Sequence, residues 1–362
     1  EVLQSWGRYV YALSLEEKLM KDIPRSVEWR DNTLVLLDQR KLPQREEVVL
    51  CDAIEQVFDG IRALTVRGAP AIGIAAAYGL LVGSHNKDAA DIRADFNERC
   101  DYLISARPTA VNLAWAVNRM RDCERRCHNE SSLFTDLLQE AQSIHEEDKV
   151  ACNAIADVGL PLVEAHPNLL THCNAGSLAV SELGTALAPI YRAHQKGVKV
   201  HVFVDETRPL LQGARLTAYE LHRNDVDCTL ISDNMAAHIM SEGKVDMVIV
   251  GADRVAANGD AANKIGTMNL AILCQYFSIP FYVAVPLSTV DIETISGDDI
   301  EIEERDASEV KEYAGHPIAP VGVAARSPAF DVTPHKLITG IITDAGLLKP
   351  PYTESIAKVM KG

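Results

Sequence analysis

The sequence predicts an α/β protein whose C-terminal half contains a mainly parallel, doubly wound sheet and whose smaller N-terminal half is mostly helical with a short antiparallel sheet. The first supporting observation is that short apolar runs alternate with helical segments after Pro161, as in parallel sheets with crossover helices. The second is that the chain before Pro161 mostly carries helical patterns. The third is the stretch 26–42, where apolar and polar residues alternate with the period of a strand.

The N-terminal half begins with a predicted β-hairpin over 26–42. The pair Asp31-Asn32 interrupts the alternation, and Asp and Asn favour tight turns. Pro70 suits the first turn of a helix, so Arg67 lies just before a helix N-terminus, where backbone N–H groups and the helix dipole favour an anion. We predict helices at 51–64, 71–81, 88–103, 110–127 and 131–160.

The C-terminal half contains six apolar runs of strand length, at 169–173, 198–204, 228–231, 245–250, 281–285 and 337–343. Helices are predicted between them at 181–195, 214–223, 234–242 and 267–276. An acidic stretch, 297–310, is predicted to be a solvated strand or loop at the surface. We therefore divide the chain into a tag or disordered start at 1–13, a mostly helical N-terminal domain at 14–160 and a doubly wound C-terminal domain at 161–362.

The overall charge limits the partners that we expect. With a formal net charge of −16, neither nucleic acid nor an anionic membrane is an expected partner, because a face that binds either should be basic. The longest apolar stretch, 69–82, is too short to span a bilayer, and no signal-peptide pattern opens the chain. Eight cysteines without a CxxC pair fit reduced thiols in the cytoplasm, with the nucleus as a further compartment in a eukaryote.

The stretch 245–269 joins a strand, a polar loop and a helix, which together make half of a βαβ unit. The run 245–250 has the length and β-branched content of a buried parallel strand. Asp253 and Lys264 follow in the loop, and open α/β sheets bind ligands at the carboxyl ends of their strands. We therefore expect an active-site loop here, although Asp253 could instead form a structural pair with Arg254.

Cys173 is a second candidate, because it ends the strand predicted at 169–173. If a helix follows closely, its N-terminal dipole could acidify the thiol for acid–base or nucleophilic chemistry. Taken alone, a single cysteine is more often a small buried hydrophobe. Two further strand ends carry polar clusters, 205–215 and 232–235, for which helix capping is the competing explanation.

The combination of these residues carries more weight than any one of them. Because Cys173 and Asp253 both end parallel strands of one predicted sheet, they could face the same crevice. Arg67, Arg107 and Lys264 could bind phosphate beside them, arginine through bidentate contacts and lysine as a point charge. Two proton-handling groups beside such cations suit a phosphorylated substrate that is isomerised, in a site between the two domains.

No cofactor or metal is expected. The sequence has no G-x-G-x-x-G after a strand and no Walker A run, so the usual nucleotide fingerprints are missing. The histidines show no metal-ligand spacing, and Gly176-Ser177 does not belong to a G-x-S-x-G elbow. These observations favour chemistry by side chains alone.

Several motifs resemble the methylthioribose-1-phosphate isomerase family of methionine salvage, which shares a superfamily with the α, β and δ regulatory subunits of the translation initiation exchange factor. The resemblance covers about 26–348. It lies in the segments VRGAPAIG (66–73), RPTAVNL (107–113), HCNAGSLA (172–179), ETRPLLQGARLT (206–217), GADR (251–254), NKIGT (263–267) and PAFDVTP (328–334).

The resemblance implies conversion of 5-methylthio-α-D-ribose 1-phosphate to 5-methylthio-D-ribulose 1-phosphate, without a cofactor. It also implies a Rossmann-like catalytic domain at 161–362 and a homodimer. Cys173 and Asp253 would be the catalytic pair. Substrate and phosphate would be bound by Arg67, Gly68, Ala69, Arg107, Gln212, Asn263 and Lys264. One position departs from the expected pattern, since His172 stands where we expect a small residue such as Gly.

Two other functions remain open on the sequence. The first is a non-catalytic regulatory subunit of the exchange-factor type, which has no need for Cys173 and Asp253 beside phosphate-binding cations. The second is a ribose-1,5-bisphosphate isomerase, which would share the mechanism but need a second cationic cluster in place of an apolar pocket. The sequence does not locate the residues of a methylthio pocket.

Overall fold

The computed structural model describes residues 25–313 and 315–361. The tag or disordered start predicted at 1–13 lies outside the described residues. The structure confirms the predicted fold class, because it combines a seven-stranded, mainly parallel sheet with a three-stranded antiparallel sheet and many helices. No helix within the described ranges is both long enough and apolar enough to cross a membrane.

The small antiparallel sheet opens the described chain. It consists of β1 (Val27–Arg30), β2 (Thr33–Leu37) and β3 (Val48–Cys51), in the order β1-β2-β3. The hairpin predicted at 26–42 is confirmed, and Asp31 and Asn32 both have positive φ, 50° and 60°, as a type I′ turn requires. The predicted start of a helix at 51 is wrong, because residue 51 closes β3 by pairing with β2.

Helices form most of the N-terminal half. They are α1 (Ile54–Arg62), α2 (Ala69–Gly79), α3 (Ala89–Ser105), α4 (Val111–Arg126) and α5 (Leu133–Ala165). Helix α2 is buried along nearly its whole length, because its small and apolar residues have no polar face to turn towards water. It lies at the centre of a core that also includes side chains from β1, β2 and the other helices.

Helix α5 is longer than predicted. We expected it to end at 160, but it continues through Pro161 to Ala165. Its first part packs in the N-terminal core through Leu133 and Ile144, and its last part packs against the large sheet through Leu160 and Val163. The burial of apolar side chains at both ends of the helix offsets the loss of the hydrogen bond that Pro161 cannot donate. Because one helix crosses position 160, the domain boundary there stays a prediction.

The large sheet confirms all six predicted C-terminal strands. They are β4 (Asn168–Thr171), β5 (His201–Asp205), β6 (Asp227–Ile231), β7 (Met247–Val250), β10 (Phe281–Ala284) and β15 (Gly340–Thr343), with β16 (Gly346–Leu348) added antiparallel at one edge. The order is β16-β15-β10-β7-β4-β5-β6. The chain runs outward from β4 to β6 and then returns to the other side of β4 at β7. The switch point between β4 and β7 is where such sheets bind ligands.

Helices cover both faces of this sheet, so that its inner strands are buried between two cores, while the edge strand β6 is mostly exposed. They are α6 (Ala188–Gln195), α7 (Ala218–Arg223), α8 (Ala236–Ser241), α9 (Thr267–Phe277) and the C-terminal α11 (Tyr352–Val359); α10 (Ser308–Lys311) is a single turn. The helix predicted at 181–195 begins only at Ala188. The preceding segment turns through Gly184 at a φ of +102°, which a helix does not accommodate.

A second small sheet replaces the polar loop that we predicted between β7 and α9. It contains β8 (Arg254–Ala256), β9 (Ala261–Lys264), β11 (Val290–Asp291) and β14 (Phe330–Thr333), in the order β11-β8-β9-β14. The loop prediction was wrong because the polar residues of β9 pair with a strand far along the chain. A hairpin of β12 (Glu312–Tyr313) and β13 (His316–Pro317) completes the fold.

Candidate active site

One cleft lies at the carboxyl ends of β4 and β7 and encloses about 740 Å³ between atoms, including its open mouth. All nine residues predicted from the sequence line it. They are Arg67, Gly68, Ala69, Arg107, Cys173, Gln212, Asp253, Asn263 and Lys264. The cleft therefore brings together side chains from both halves of the chain at the switch point of the large sheet.

Cys173 follows β4 in a left-handed backbone conformation, with a φ of +61°. This conformation costs a non-glycine residue about 1 to 3 kcal/mol, and hydrogen bonds on both sides hold it. The Cys173 amide donates to Thr207 Oγ1 at 2.8 Å, and the Cys173 carbonyl accepts from Thr217 Oγ1 at 2.5 Å. The backbone of the cysteine is therefore fixed by the loops that follow β5.

The expectation that a helix follows closely after Cys173 is wrong, because the next α-helix begins only at Ala188. Burial raises the pKa of the Cys173 thiol, while the charges of Arg67 and Lys264 oppose that rise. The cysteine is thus a cleft-facing thiol stabilised in its neutral form by desolvation.

Asp253 lies between β7 and β8, on the strand end adjacent to that of Cys173. Its backbone N–H donates to the carbonyl of Ala262 at 2.9 Å. Burial raises the pKa of the Asp253 carboxyl group, opposed by the charges of Lys264, Arg107 and Arg67. A carboxyl group that is easier to protonate can act as an acid near neutral pH.

Lys264 ends β9 inside the same cleft and is 8% exposed. Its Nζ donates to the carbonyl of Ala329 at 2.9 Å and lies 4.9 Å from the centre of the Phe330 ring. Burial lowers the pKa of Lys264, while Cys173 and Asp253 raise it. The ammonium group keeps further donors for an anion, since the structure gives it one carbonyl acceptor and an ammonium has three donors.

The Arg67 guanidinium is fixed by one residue of the Cys173 loop. It donates from both terminal nitrogens to Asn174, to the side-chain oxygen and to the carbonyl oxygen, each at 2.6 Å. Gly68, next to it, has a φ of +98°, and a Cβ there would lie 2.4 Å from Ala179. Ala69 then begins α2, a helix of eleven residues. An arginine side chain and the N-terminus of this helix therefore lie side by side at the cleft.

Arg107 is paired with a residue of the acidic stretch 297–310. Its guanidinium donates to Glu303 at 3.0 Å, and Glu303 is also paired with Arg305 at 3.0 Å. Arg305 lines the cleft, and Glu309 completes this ion-pair chain. The prediction that 297–310 is a solvated surface element was wrong for Glu303 and Glu309. Their carboxylates form ion pairs with arginines and are not simply solvated by water.

Gln212 lies at the start of a π-helical turn, Gly213–Thr217, a local geometry that often occurs at functional sites. The side chain is 5% exposed, and its Oε1 has no hydrogen-bond partner among the described residues. Asp233 belongs to the cluster 232–235, for which helix capping was the competing explanation, but its side chain does not cap the helix that follows. Its two carboxylate oxygens accept from the backbone N–H groups of Thr207 and Arg208, both at 2.7 Å.

A buried carboxylate organises the loop that carries Cys173, and sequence reasoning missed it. Glu220 on α7 is fully buried and accepts from the backbone N–H groups of Ser177 and Leu178 at 2.8 and 3.1 Å. It also accepts from the Asn174 side-chain amide at 2.9 Å. Glu220 therefore supports the residue that holds Arg67. A glutamate on a short helix after a strand gave no local signal of this role.

His172, Asp205 and Asp233 form a group of three residues whose ligand-type atoms lie within 4.8 Å of one another. Both ring nitrogens of His172 already have hydrogen-bond partners, Asp205 Oδ2 and the carbonyl of Ile265, each at 2.9 Å. Both oxygens of Asp233 accept backbone N–H groups. Hydrogen bonds thus account for this cluster, and we assign no metal to it.

The fold and the cleft together define an α/β protein with a cleft lined by cationic side chains at the switch point of a doubly wound sheet. The model of the initiation factor 2 subunit family matches residues 65–350, and the chain belongs to that family.

The chain is also similar to individual members of this family, both in sequence and in solved structure. The methylthioribose-1-phosphate isomerase of Bacillus pumilus (strain SAFR-032) is 51% identical over 338 residues, which are 92% of this chain and 96% of the relative. The crystal structure of 5-methylthioribose 1-phosphate isomerase from Pyrococcus horikoshii OT3 has a TM-score of 0.89 at 43% identity and covers 96% of this chain and 98% of its own. The translation initiation factor eIF-2B subunit delta of A. fulgidus has a TM-score of 0.84 at 39% identity and covers 94% of this chain and 100% of its own.

Proposed function

We propose that this protein is a cofactor-independent aldose–ketose isomerase that converts 5-methylthio-α-D-ribose 1-phosphate to 5-methylthio-D-ribulose 1-phosphate in methionine salvage. The observation that carries the proposal is the meeting of Cys173 and Asp253, from adjacent strand ends, in one cleft that is also lined by cationic side chains. The similarity to enzymes named for this reaction, over more than nine-tenths of the chain, supports the same conclusion.

The phosphate is proposed to bind where three positive groups converge. Arg67, held by Asn174, stands beside the N-terminus of α2, and Lys264 approaches from β9. Fixed cations and backbone N–H groups bind a phosphate without first having to be ordered. Arg107 is the third cation, while Gln212 and Asn263 supply polar contacts for the sugar hydroxyl groups.

Asp253 is proposed to be the acid that opens the sugar ring. The 1-phosphate locks the sugar in its cyclic form, so the ring C–O bond must break before hydrogen can move from C2 to C1. The leaving ring oxygen needs a proton, and burial raises the pKa of Asp253 in the direction that keeps a carboxyl group protonated. The same group can then relay the proton during formation of the ketose.

Cys173 is proposed to act on the hydrogen that moves. In one route a Cys173 thiolate removes the C2 proton to give an enediol-type intermediate, which is then protonated at C1. In the other route hydride moves directly from C2 to C1, and Cys173 and Asp253 stabilise the charged intermediate. Burial raises the pKa of the thiol, so the first route requires substrate binding or Lys264 to favour the thiolate. A dry cleft serves both routes, because water would intercept the intermediate.

The cations of the cleft bear on the choice between a methylthio sugar and a bisphosphate. Besides Arg67, Arg107 and Lys264, the cleft is lined among the described residues by one further cation, Arg305, which is paired with both Glu303 and Glu309. A second phosphate would therefore meet an arginine whose charge is already neutralised. Apolar residues also line the cleft, among them Leu210, Val285 and Phe330, and they suit a methylthio group. This observation favours the monophosphate substrate over ribose 1,5-bisphosphate.

The experiment follows turnover of methylthioribose 1-phosphate in deuterated water by NMR, for the wild type and for Cys173→Ala and Asp253→Asn. We expect turnover by the wild type and a loss of at least about a hundredfold in each variant. Cys228→Ala is the matched control, because Cys228 is a half-buried thiol on the edge strand β6, and it should keep wild-type activity. Deuterium at C1 of the product would favour the proton-transfer route.

Other results of the same experiment would contradict the proposed function. If the folded wild type leaves methylthioribose 1-phosphate unchanged, the proposal is wrong, and turnover of ribose 1,5-bisphosphate would then identify the other sugar. Lack of turnover of both sugars would favour a binding role of the regulatory-subunit kind.

We also propose a homodimer located in the cytoplasm, and in the nucleus as well if the source is eukaryotic. Light scattering on the purified protein tests the dimer by its mass.

A further inference from the structure

His172 lies directly before Cys173 and is almost completely buried, with 1% of its surface exposed. Its Nδ1 is 2.9 Å from Asp205 Oδ2, and its Nε2 is 2.9 Å from the carbonyl oxygen of Ile265. The imidazole therefore connects the end of β4 to the end of β5 and to the residue after Lys264. Nothing in the proposed chemistry uses this ring, so its burial beside the reactive cysteine requires another explanation.

The two hydrogen bonds fix the number of protons in the pair. A carbonyl oxygen can only accept, so Nε2 must carry a proton. Nδ1 and Asp205 Oδ2 can lie 2.9 Å apart as a hydrogen bond only if one further proton lies between them. The pair is therefore either imidazolium with carboxylate or neutral imidazole with carboxylic acid. In both forms its net charge is zero, which suits a site closed to water.

The ring also fixes the backbone around it. A Cβ on Gly266 would lie 2.9 Å from His172 Cε1, so the ring packs directly on this glycine, whose φ is +103°. On the other side, the strained backbone of Cys173 is bound to Thr207, and the Thr207 hydroxyl donates to the carbonyl of Asp205. His172 and Asp205 thus belong to one hydrogen-bonded unit that includes the backbone of Cys173.

We propose that His172 is a positioning residue: it holds Cys173 in register with the strand that carries Lys264, through a clasp formed by the His172 ring, the Asp205 carboxylate and the Ile265 carbonyl. The clasp depends on the single proton shared by His172 and Asp205. The effect of the clasp on catalysis rests on the proposed isomerase function. The claim that the clasp holds Cys173 in place does not, since it concerns the geometry of the free protein.

Loss of the shared proton would weaken the clasp. A lone pair on Nδ1 would then face a carboxylate, and one uncompensated negative charge would remain in a buried site. Burial raises the pKa of Asp205 to about 6, and the hydrogen bond and charge of Asp205 raise the pKa of His172 against the effect of burial. The charged groups that interact with the pair are Asp233, Glu206 and Asp331. All three are acidic, which favours retention of the proton.

Two substitutions of Asp205 separate the clasp from general damage. In Asp205→Asn the amide N–H can donate to Nδ1 of a neutral imidazole, so the clasp survives without a shared proton. In Asp205→Ala Nδ1 loses its partner and the clasp opens. His172→Gln is a second clasp-breaking variant, because glutamine can reproduce the donor at Nε2 but has no group in the place of Nδ1. Circular dichroism checks that each variant is folded.

The first readout needs no substrate. Iodoacetamide alkylation of Cys173 is followed by peptide mass spectrometry, with Cys228 on β6 as the internal reference. Relative to Cys228, we expect alkylation of Cys173 to rise at least about fivefold in Asp205→Ala and in His172→Gln, because an opened clasp exposes the thiol, and to change less than about twofold in Asp205→Asn. Equal rates in the wild type and the clasp-breaking variants would overturn the positioning role.

The second readout is turnover of methylthioribose 1-phosphate. For Asp205→Ala we expect kcat to fall at least about thirtyfold, with KM changed less than about threefold, because a displaced thiol affects chemistry more than phosphate binding. Asp205→Asn should keep kcat within about threefold at neutral pH and decline less than the wild type at alkaline pH. Equal losses in the Asn and Ala variants, or identical pH profiles of Asp205→Asn and wild type, would overturn the shared-proton clasp. If the wild type has no turnover, the proposed function fails, while the alkylation result still tests the clasp.

Discussion

Glu220→Gln offers the sharpest test of how the loop with Cys173 is held. One carboxylate oxygen of Glu220 accepts from the Ser177 N–H, the Ser177 hydroxyl and the Tyr191 hydroxyl, at 2.8, 2.9 and 3.3 Å. The other accepts from the Asn174 amide and the Leu178 N–H, at 2.9 and 3.1 Å. All five groups are arranged as donors, so this site fits a carboxylate and not an amide.

The magnitude follows from this arrangement. In Glu220→Gln an NH₂ group must replace one of the two carboxylate oxygens. In one orientation it faces the backbone N–H of Ser177 and in the other that of Leu178, and neither N–H can become an acceptor. One buried donor left without an acceptor costs about 1 to 3 kcal/mol. The remaining bonds also change from charge-assisted to neutral, which roughly halves their strength. We therefore expect a loss of about 3 to 5 kcal/mol in the free energy of unfolding.

Equilibrium urea unfolding at neutral pH, followed by circular dichroism, measures this loss. The control is Glu182→Gln, an exposed glutamate in the segment that follows the same loop, which should change stability by less than about 0.5 kcal/mol. Because Asn174 holds Arg67, the KM for the phosphorylated substrate should also rise in Glu220→Gln. A loss below about 1 kcal/mol with an unchanged KM would refute the view that this carboxylate holds the loop.

Two further predictions concern backbone conformation and pH. Gly68→Ala should lower the free energy of unfolding by about 3 kcal/mol or more, because its Cβ would overlap Ala179 at a φ of +98°. Gly197→Ala, at a φ of +80° with open space around it, should cost only about 1 kcal/mol in the same urea assay, and equal costs would contradict the steric argument. Burial lowers the pKa of His145 from 6.5 to about 4. As the pH falls, the unfolded state therefore binds a proton at His145 before the folded state does, and the protein loses stability between these two pKa values. Between about pH 7 and pH 5, the wild type should lose about 2 kcal/mol more than His145→Gln in thermal or urea unfolding, and parallel pH curves would contradict it.

Local patterns were sufficient for the six predicted strands of the large sheet and for the expectation that Cys173 and Asp253 line one cleft. The C-terminal strands are short apolar runs, and those inside the large sheet are buried on both faces while the edge strand β6 is mostly exposed. Such runs are visible without knowledge of their partners. The parallel order then brings the residues after β4 and β7 to one edge of the sheet. For this reason Cys173 and Asp253 could be expected in one cleft. Arg67 and Lys264 could be expected from their places before a helix and after a strand, and the resemblance added Gln212.

The errors have a common cause in contacts between distant parts of the chain. The polar residues around Lys264 form a strand because β14 pairs with β9, and the acidic stretch is neutralised because Glu303 meets Arg107, 196 residues away. The helix α5 passes Pro161 because both of its ends are buried in different cores. A local pattern records how a segment could fold, but not which partner will satisfy its hydrogen bonds and charges.

The sequence by itself therefore determined the class of sheet, the order of its strands along the chain and the residue types that end them, because periodicity and composition act locally. Only the tertiary structure decided how those residues are held. The support of Asn174 by Glu220, the bond between His172 and Asp205 and the strained backbone of Cys173 each depend on groups from separate elements. Buried polar groups must find partners inside the fold, and that requirement is met only when the whole chain is in place.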